Sequence, residues 1–192
     1  METLDYNKLC NSILSISKEA GQEILKIYDT DNLGVTYKSD KTPLTLADKA
    51  SNTVIEKSLK ILTPNIPILS EEGKNRDYSE REKWDIFWLI DPLDGTKEFI
   101  KENDQFTVNI ALIKNHRPIL GVIYVPVYAA VYFSFKNGGS YKLNIEDGIK
   151  IDDYFENSIK LKASTKTMNE TLKVICSKSH PNDEFEQWLT KN

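Results

Sequence analysis

The 192-residue sequence predicts an α+β fold, with N-terminal helices packed on an antiparallel sheet. Apolar residues recur at helical spacing through the first third of the chain. Segments rich in β-branched and aromatic residues follow beyond the midpoint. A new strand and helix are predicted near the C-terminus. We therefore expect residues 1–168 to form one domain and residues 169–192 to begin a second, α/β domain.

Two long helices are predicted in the first third of the chain. Residues 4–28 carry apolar side chains at intervals of three and four, the pattern of an amphipathic helix. The second helix is predicted over 45–62, with Thr45 as its N-cap and Thr63-Pro64 as its stop. Between them lie a turn, an extended piece and a loop, at 29–34, 35–38 and 39–43.

Strands are predicted from short apolar runs bounded by turn residues. Residues 66–70 would deliver Glu71 and Glu72 at a strand end, and the charged residues 73–83 would form an excursion. Residues 88–90 have the composition of the end of a buried strand. An antiparallel meander is predicted with strands at 106–113, 119–125 and 129–135, closed by Asn137-Gly138-Gly139. The second domain would begin with a strand over 172–176 and a helix over 183–189.

Composition restricts the function classes. The net charge is -4 and the lysines are interleaved with acids, which argues against a nucleic-acid partner. Cys10 and Cys176 lie far apart and favour a reduced, cytoplasmic setting. The N-terminus lacks the pattern of a signal peptide, and no apolar run reaches transmembrane length.

Acidic residues cluster at the ends of predicted elements. Asp48 lies in the first turn of the second helix, Glu71 and Glu72 follow a strand, and Asp91 and Asp94 end the apolar run before them. Crowded carboxylates are costly unless a cation lies between them. Oxygen ligands with no histidine or cysteine nearby suit Mg²⁺ rather than Zn²⁺. We therefore expect the clusters to converge on one magnesium site, since none has a local cationic partner.

The turn after Asp91 could hold both cations and phosphate. Asp91, the Leu93 carbonyl and Asp94 can face cations, while Gly95 and Thr96 can open a helical turn whose N–H groups favour phosphate. Two Mg²⁺ ions at such a turn could activate a water and stabilise the leaving oxygen. Thr96 and Asp48 would orient that water.

The motifs resemble those of the inositol monophosphatase-like phosphatase superfamily. Ser-Glu-Glu at 70–72 and Trp-Leu-Ile-Asp-Pro-Leu-Asp-Gly-Thr at 88–96 are similar to its metal motifs. The continuations at 97–100 and 106–113 resemble the CysQ branch of 3'(2'),5'-bisphosphate nucleotidases, as does Ser-Lys-Ser-His at 177–180. The resemblance covers almost the whole chain and implies a layered αβαβα sandwich of the sugar-phosphatase type.

The resemblance also implies roles for individual residues. The implied Mg²⁺ ligands are Glu71, Asp91, the Leu93 carbonyl and Asp94. The implied catalytic residues are Asp48, Thr96 and Glu71, and the substrate contacts are Gly95, Thr96 and His180. The implied reaction removes the 3'-phosphate of adenosine 3',5'-bisphosphate, giving AMP and phosphate, with lithium inhibition and a place in sulfur metabolism.

The sequence leaves alternatives for the substrate and for the activity itself. The substrate could be an inositol phosphate or another small phosphomonoester, and the chain could be a non-catalytic remnant. Family members continue beyond residue 192 with a Gly-Ser-Ser-Leu-Lys segment and a Trp-Asp-x-x-Ala metal motif, so we expect a C-terminally truncated chain with impaired activity. A homodimer and peripheral attachment at the inner face of the membrane are further expectations.

Several of these residues also have a purely structural interpretation. Asp91 and Asp94 could cap a turn, and Asp48 could stabilise a helix N-terminus. Glu72 is expected to support the ligands or to be solvated. Lys38 is expected in a solvated loop, and His180 on the surface.

Overall fold

The computed structural model describes residues 5–30, 32–39, 42–73, 76–145, 154–155, 157–165, 174–175 and 182–191. The chain divides into two compact units, Met1–Leu161 and Lys162–Asn192. The predicted boundary after residue 168 stays a prediction. In the described part of the second unit, a helix runs over Asp183–Lys191, where one was predicted. The strand predicted over 172–176 lies largely outside the described residues.

Both predicted N-terminal helices are confirmed. Helix α1 spans Tyr6–Tyr28 and begins after Asp5, whose carboxylate accepts from the backbone N–H groups of Asn7 and Lys8. Helix α2 spans Leu46–Leu62 with Thr45 as N-cap, as predicted. Between them a small hairpin pairs β1 with β2, at Thr36–Tyr37 and Pro43–Leu44.

A seven-stranded sheet follows, in the order β3-β4-β5-β6-β7-β8-β9. Its strands are Ile68–Ser70, Ile86–Asp94, Thr107–Lys114, Arg117–Val125, Ala130–Phe135, Gly139–Asn144 and Ile159–Lys160. The described neighbours pair antiparallel except β3 and β4, which run parallel. Short helices α3 and α4 span Tyr78–Arg81 and Thr96–Ile100, and a 3₁₀ turn spans Pro126–Tyr128.

The predicted meander is confirmed, with corrections at its turns. The break expected over 114–118 is only a two-residue turn, because Asn115 and His116 adopt positive φ angles of 49° and 60° and let both strands extend. Strand β8 was not predicted, and the excursion expected over 73–83 contains helix α3. The strand containing Asp91 does not stop there but continues to Asp94.

The core lies between the helices and one face of the sheet. Fully buried Ile13 and Ile24 of α1 belong to the same apolar cluster as Trp88 and Ile110 of the sheet. This burial is the main favourable term in folding. Helix α1 packs tightly on the sheet at Gly21, where a Cβ atom would lie 2.4 Å from Cε1 of buried Tyr124. The opposite face of the sheet carries Asp91 and Asn109, which lie beside each other in the ladder.

Gly21→Ala should therefore destabilise the protein, although alanine is the better helix former. Overpacking typically costs about 1–3 kcal/mol, and the helix-propensity gain offsets about 1 kcal/mol. We expect a net loss of up to about 2 kcal/mol in the free energy of unfolding, measured by urea denaturation. Gly121→Ala is the matched control, because a Cβ there meets no atom within 4 Å. Equal stability of the two variants would contradict this account of the interface.

Candidate active site

A β-bulge in β4 places the two aspartates of the central motif on the same face of the sheet. Asp91 pairs with Asn109 of β5, and Asp94 pairs with Thr107. Three steps along β4 thus match two steps along β5, and the register shifts between them. Residues three apart in a regular strand point to opposite faces. The extra residue cancels that alternation, so both aspartates face away from the helical core.

Helix α2 and a glycine hold the motif in this conformation. Ser51, fully buried on α2, donates its hydroxyl to the carbonyl of Pro92 at 2.7 Å. Gly95 has φ +95°, and a Cβ there would lie 2.7 Å from the carbonyl oxygen of Gln105. Only glycine adopts this geometry without strain. Sequence reasoning missed Ser51, whose signal is a serine within the apolar stripe of a helix.

Asp48 and Thr96 meet across the site, as the sequence predicts. The Thr96 hydroxyl lies 3.2 Å from Oδ1 of Asp48 and 3.2 Å from the Leu93 carbonyl oxygen. Oδ2 of Asp48 accepts from the backbone N–H and hydroxyl of Thr45 at 2.7 and 2.5 Å, which completes a capping box. Burial raises the pKa of Asp48, and these hydrogen bonds partly offset the rise. Asp48 therefore caps the helix and faces Thr96 at the same time.

Parallel pairing of β3 with β4 brings Glu71 to Asp91. Ser70 pairs with Ile90, and the backbone N–H of Glu71 donates to the Ile90 carbonyl at 3.1 Å. Burial, followed by the negative charges of Glu71 and Asp94, raises the pKa of Asp91 to about 7. Among the described residues, the buried Oδ1 of Asp91 has no hydrogen-bond partner. A cation bound here would reduce the repulsion among the carboxylates and would give the buried oxygen a partner.

Lys38 corrects two expectations. Its ammonium lies 3.0 Å from Oε1 of Glu71 and 2.5 Å from Oε1 of Glu72, so these acids do have a cationic partner. The Lys38 side chain is 22% exposed and that of Glu72 is 9% exposed, so both are largely removed from solvent. Burial opposes the charge on Lys38, but the hydrogen bonds to Glu72 and Glu71 dominate and raise its pKa. Burial also raises the pKa of Glu72, against the effect of Lys38.

The donor atoms of the predicted ligands are of the type that hard divalent cations prefer. The predicted donors are all oxygens: the carboxylates of Glu71, Asp91 and Asp94 and the Leu93 carbonyl. Within the described residues, no group of three or more acidic, histidine or cysteine side chains is arranged so that it could hold a metal ion. One of the three carboxylates, that of Glu71, is already paired with the ammonium of Lys38. A cation at Glu71 would therefore compete with Lys38.

A groove of about 600 Å³ runs along the outer sheet face beside these carboxylates. Its floor is apolar, with Leu89 and Ile123 exposed by 44% and 47%. Glu71, Asp91 and Asn109 also line it. The site therefore has an apolar surface directly beside the carboxylates of Glu71 and Asp91. His180, the remaining predicted site residue, lies outside the described residues.

None of the helices in the described part of the chain is both long and apolar enough to cross a membrane.

Fold and site together define an α+β domain with a cluster of acidic side chains at one end of its sheet. The model of the inositol monophosphatase family matches residues 5–192. The chain belongs to the inositol monophosphatase family. The resemblance found in the sequence motifs is thereby confirmed.

Within this family the chain is similar to CysQ proteins. It is 37% identical to the 3'(2'),5'-bisphosphate nucleotidase CysQ of Buchnera aphidicola, over 97% of this chain and 65% of that protein. It is 39% identical to the protein of the same name in Escherichia coli K12, over 94% and 68%. The crystal structure of CysQ from Bacteroides thetaiotaomicron matches with a TM-score of 0.77 and 35% identity, over 98% of this chain and 69% of that one. The chain thus spans about two thirds of the length of these relatives.

Asp91→Asn should change how the metal-free protein responds to pH. The pKa of Asp91 is raised from 3.8 to about 7 in the folded chain, so folding favours the protonated form. The stabilisation that Asp91 gives through its raised pKa is complete below pH 3.8. It is lost as the pH rises through about 7, so the free energy of unfolding falls over this range. Asparagine cannot lose a proton there. The variant should therefore lose less stability than wild type between pH 4 and about 7.5, measured by urea denaturation in EDTA.

The control for this series is Asp77→Asn, which changes an exposed aspartate that makes no side-chain cap hydrogen bond. That variant should follow the wild-type pH dependence. An Asp91→Asn profile parallel to wild type would show that Asp91 is not crowded by its neighbours.

Lys38→Met should separate the stability of the metal-free site from its affinity for metal. The ammonium stabilises Glu71 and Glu72, so its loss should lower the melting temperature in EDTA. The same loss removes a competitor, so Mg²⁺ should raise the melting temperature more than in wild type. Differential scanning calorimetry with and without millimolar Mg²⁺ measures both. Lys60→Met is the control, because Lys60 pairs with Glu56 on the exposed side of α2. A smaller Mg²⁺ response in Lys38→Met would show that Lys38 assists the metal.

Proposed function

We propose that the protein is a Mg²⁺-dependent phosphomonoesterase that removes the 3'-phosphate of adenosine 3',5'-bisphosphate, giving AMP and phosphate. The carrying observation is Asp91, whose carboxyl is crowded by the charges of Glu71 and Asp94 and has a buried oxygen with no partner among the described residues. The names of the CysQ relatives support the substrate class. The carboxylate cluster supports the metal chemistry, because carboxylates are the usual protein ligands of the divalent cations that activate water.

The proposed metal ligands are the carboxylates of Glu71, Asp91 and Asp94 and the carbonyl of Leu93. Bound Mg²⁺ would supply Lewis-acid chemistry, lowering the pKa of a water and stabilising charge on the transferred phosphate. The protein's part is to present these oxygens on one face and to keep Asp91 partly out of solvent. Asp91 lies between the other two carboxylates and is therefore the residue whose charge matters most.

Asp48 and Thr96 form the proposed water-orienting pair. The attacking water gives up a proton while its oxygen bonds to phosphorus, and the bond from phosphorus to the 3' oxygen breaks. Thr96 can accept a hydrogen bond from that water while donating its own proton to Asp48 at 3.2 Å. Asp48 is a suitable final acceptor because burial raises the pKa of its carboxylate. The leaving 3' oxygen takes a proton from solvent.

The proposed substrate contacts are Gly95, Thr96 and His180. Gly95 and Thr96 open helix α4 beside the carboxylates, where their backbone N–H groups can face a phosphate oxygen. His180 is proposed as a nucleotide contact from the motif resemblance alone. A homodimer, cytoplasmic location and attachment at the inner face of the membrane stay predictions.

The direct test is phosphate release by the 192-residue chain. We expect Mg²⁺-dependent release from adenosine 3',5'-bisphosphate, with a higher kcat/KM than on inositol 1-phosphate, and none in EDTA. Asp91→Asn should lower kcat by at least about 10²-fold, the cost of losing one electrostatic element. Thr96→Val should lower kcat by about 10²–10⁴-fold, since it keeps the side-chain shape and removes the hydroxyl.

The matched control is Thr53→Val, a threonine on the exposed side of α2 whose hydroxyl donates within its own helix. It should retain wild-type kcat. Preference for inositol 1-phosphate would overturn the substrate assignment while leaving the metal chemistry intact. Wild-type activity in Asp91→Asn would overturn the site itself.

A further inference from the structure

Asn109 links the two motif aspartates although it belongs to the neighbouring strand. It pairs in register with Asp91, yet its side-chain Nδ2 donates to Oδ2 of Asp94 at 3.1 Å. The bulge in β4 makes this diagonal contact reachable, since it brings Asp94 to the same face. Asn109 also lines the groove beside Glu71 and Asp91. The amide is therefore placed among the carboxylates without contributing a charge.

The orientation of this amide is determined by its two neighbours. Thr107 donates its hydroxyl to Oδ1 of Asn109 at 3.1 Å. A carboxylate can only accept, so the end of the amide next to Asp94 must be the NH₂ group. The chain of donors runs from Thr107 to Asn109 to Asp94. Thr107 and Asn109 lie two residues apart on β5, so they share one face of the strand.

We infer that Asn109 is a positioning residue for Asp94, which fixes the orientation of its carboxylate before a divalent cation binds. Asp94 is exposed and its side chain would otherwise sample several rotamers in solvent. The amide engages one carboxylate oxygen and restricts that motion before a cation arrives. This inference rests on the proposed metal-dependent function.

The chemistry of the donor matters as much as its position. Lys38 neutralises Glu71 and must compete with a cation, because an ammonium and Mg²⁺ repel each other at one carboxylate. The neutral amide of Asn109 orients Asp94 and leaves its full charge for the cation. Aspartate at position 109 would add repulsion, and alanine would leave Asp94 unrestrained. Hydrogen bonds that orient metal ligands in this way typically change metal affinity by about 10–100-fold.

The experiment is calorimetric titration of Mg²⁺ into the 192-residue chain without substrate, together with the Mg²⁺ dependence of phosphate release. Asn109→Ala should raise the Mg²⁺ Kd by about 10-fold or more. Thr107→Val removes the hydroxyl that orients the amide and should raise the Kd by a smaller factor. The KM for adenosine 3',5'-bisphosphate at saturating Mg²⁺ should stay near the wild-type value in both. A general loss of structure would instead move KM as well.

Asn144→Ala is the matched control, since Asn144 is exposed at the end of β8. It should bind Mg²⁺ as wild type does. Melting temperatures in EDTA should agree across the four proteins to within a few degrees, which separates positioning from folding. Wild-type Mg²⁺ affinity in Asn109→Ala would overturn the positioning role alone. Absence of Mg²⁺ binding by the wild-type chain would overturn both this role and the proposed function.

Discussion

One extra residue in β4 is the constraint on which the site depends. Without the bulge between Asp91 and Asp94, the two carboxylates would alternate across the sheet, and one would point into the apolar core. The hydroxyl of Ser51 holds the bulged backbone through the Pro92 carbonyl. Proline cannot donate to a strand ladder and is tolerated at such irregular positions. The irregularity in the sheet is thus what makes an acidic face available.

The acidic face is costly to the metal-free fold. The pKa of Asp91 is raised because burial and the neighbouring carboxylates disfavour its charged form. Lys38 relieves part of the repulsion at Glu71 and Glu72, while Asn109 restrains Asp94 without neutralising it. Strained electrostatics of this kind are common at functional sites. The large apolar core between the helices and the sheet stabilises the fold enough to offset this electrostatic cost.

The sequence predicted that Asp48 and Thr96 approach each other, but it did not predict the partners of the acidic residues. Asp48 and Thr96 were expected to act together, and the 3.2 Å hydrogen bond between them agrees with that expectation. Lys38 was expected in solvent, and Ser51 and Asn109 were overlooked. Each of these three makes its decisive contact with a residue more than ten positions away in sequence. No periodicity in a single chain reports which distant side chains will meet.

The sequence by itself determined the features that depend on near neighbours. Thr45 and Asp48 form a capping box because they lie three residues apart, and Gly95 makes the turn because only glycine tolerates its positive φ. The family resemblance follows from the same contiguous motifs. The tertiary structure alone decided which face Asp94 occupies and that Lys38 engages Glu71. The physical reason is that strand register and the β4 bulge, rather than local propensity, set those distances.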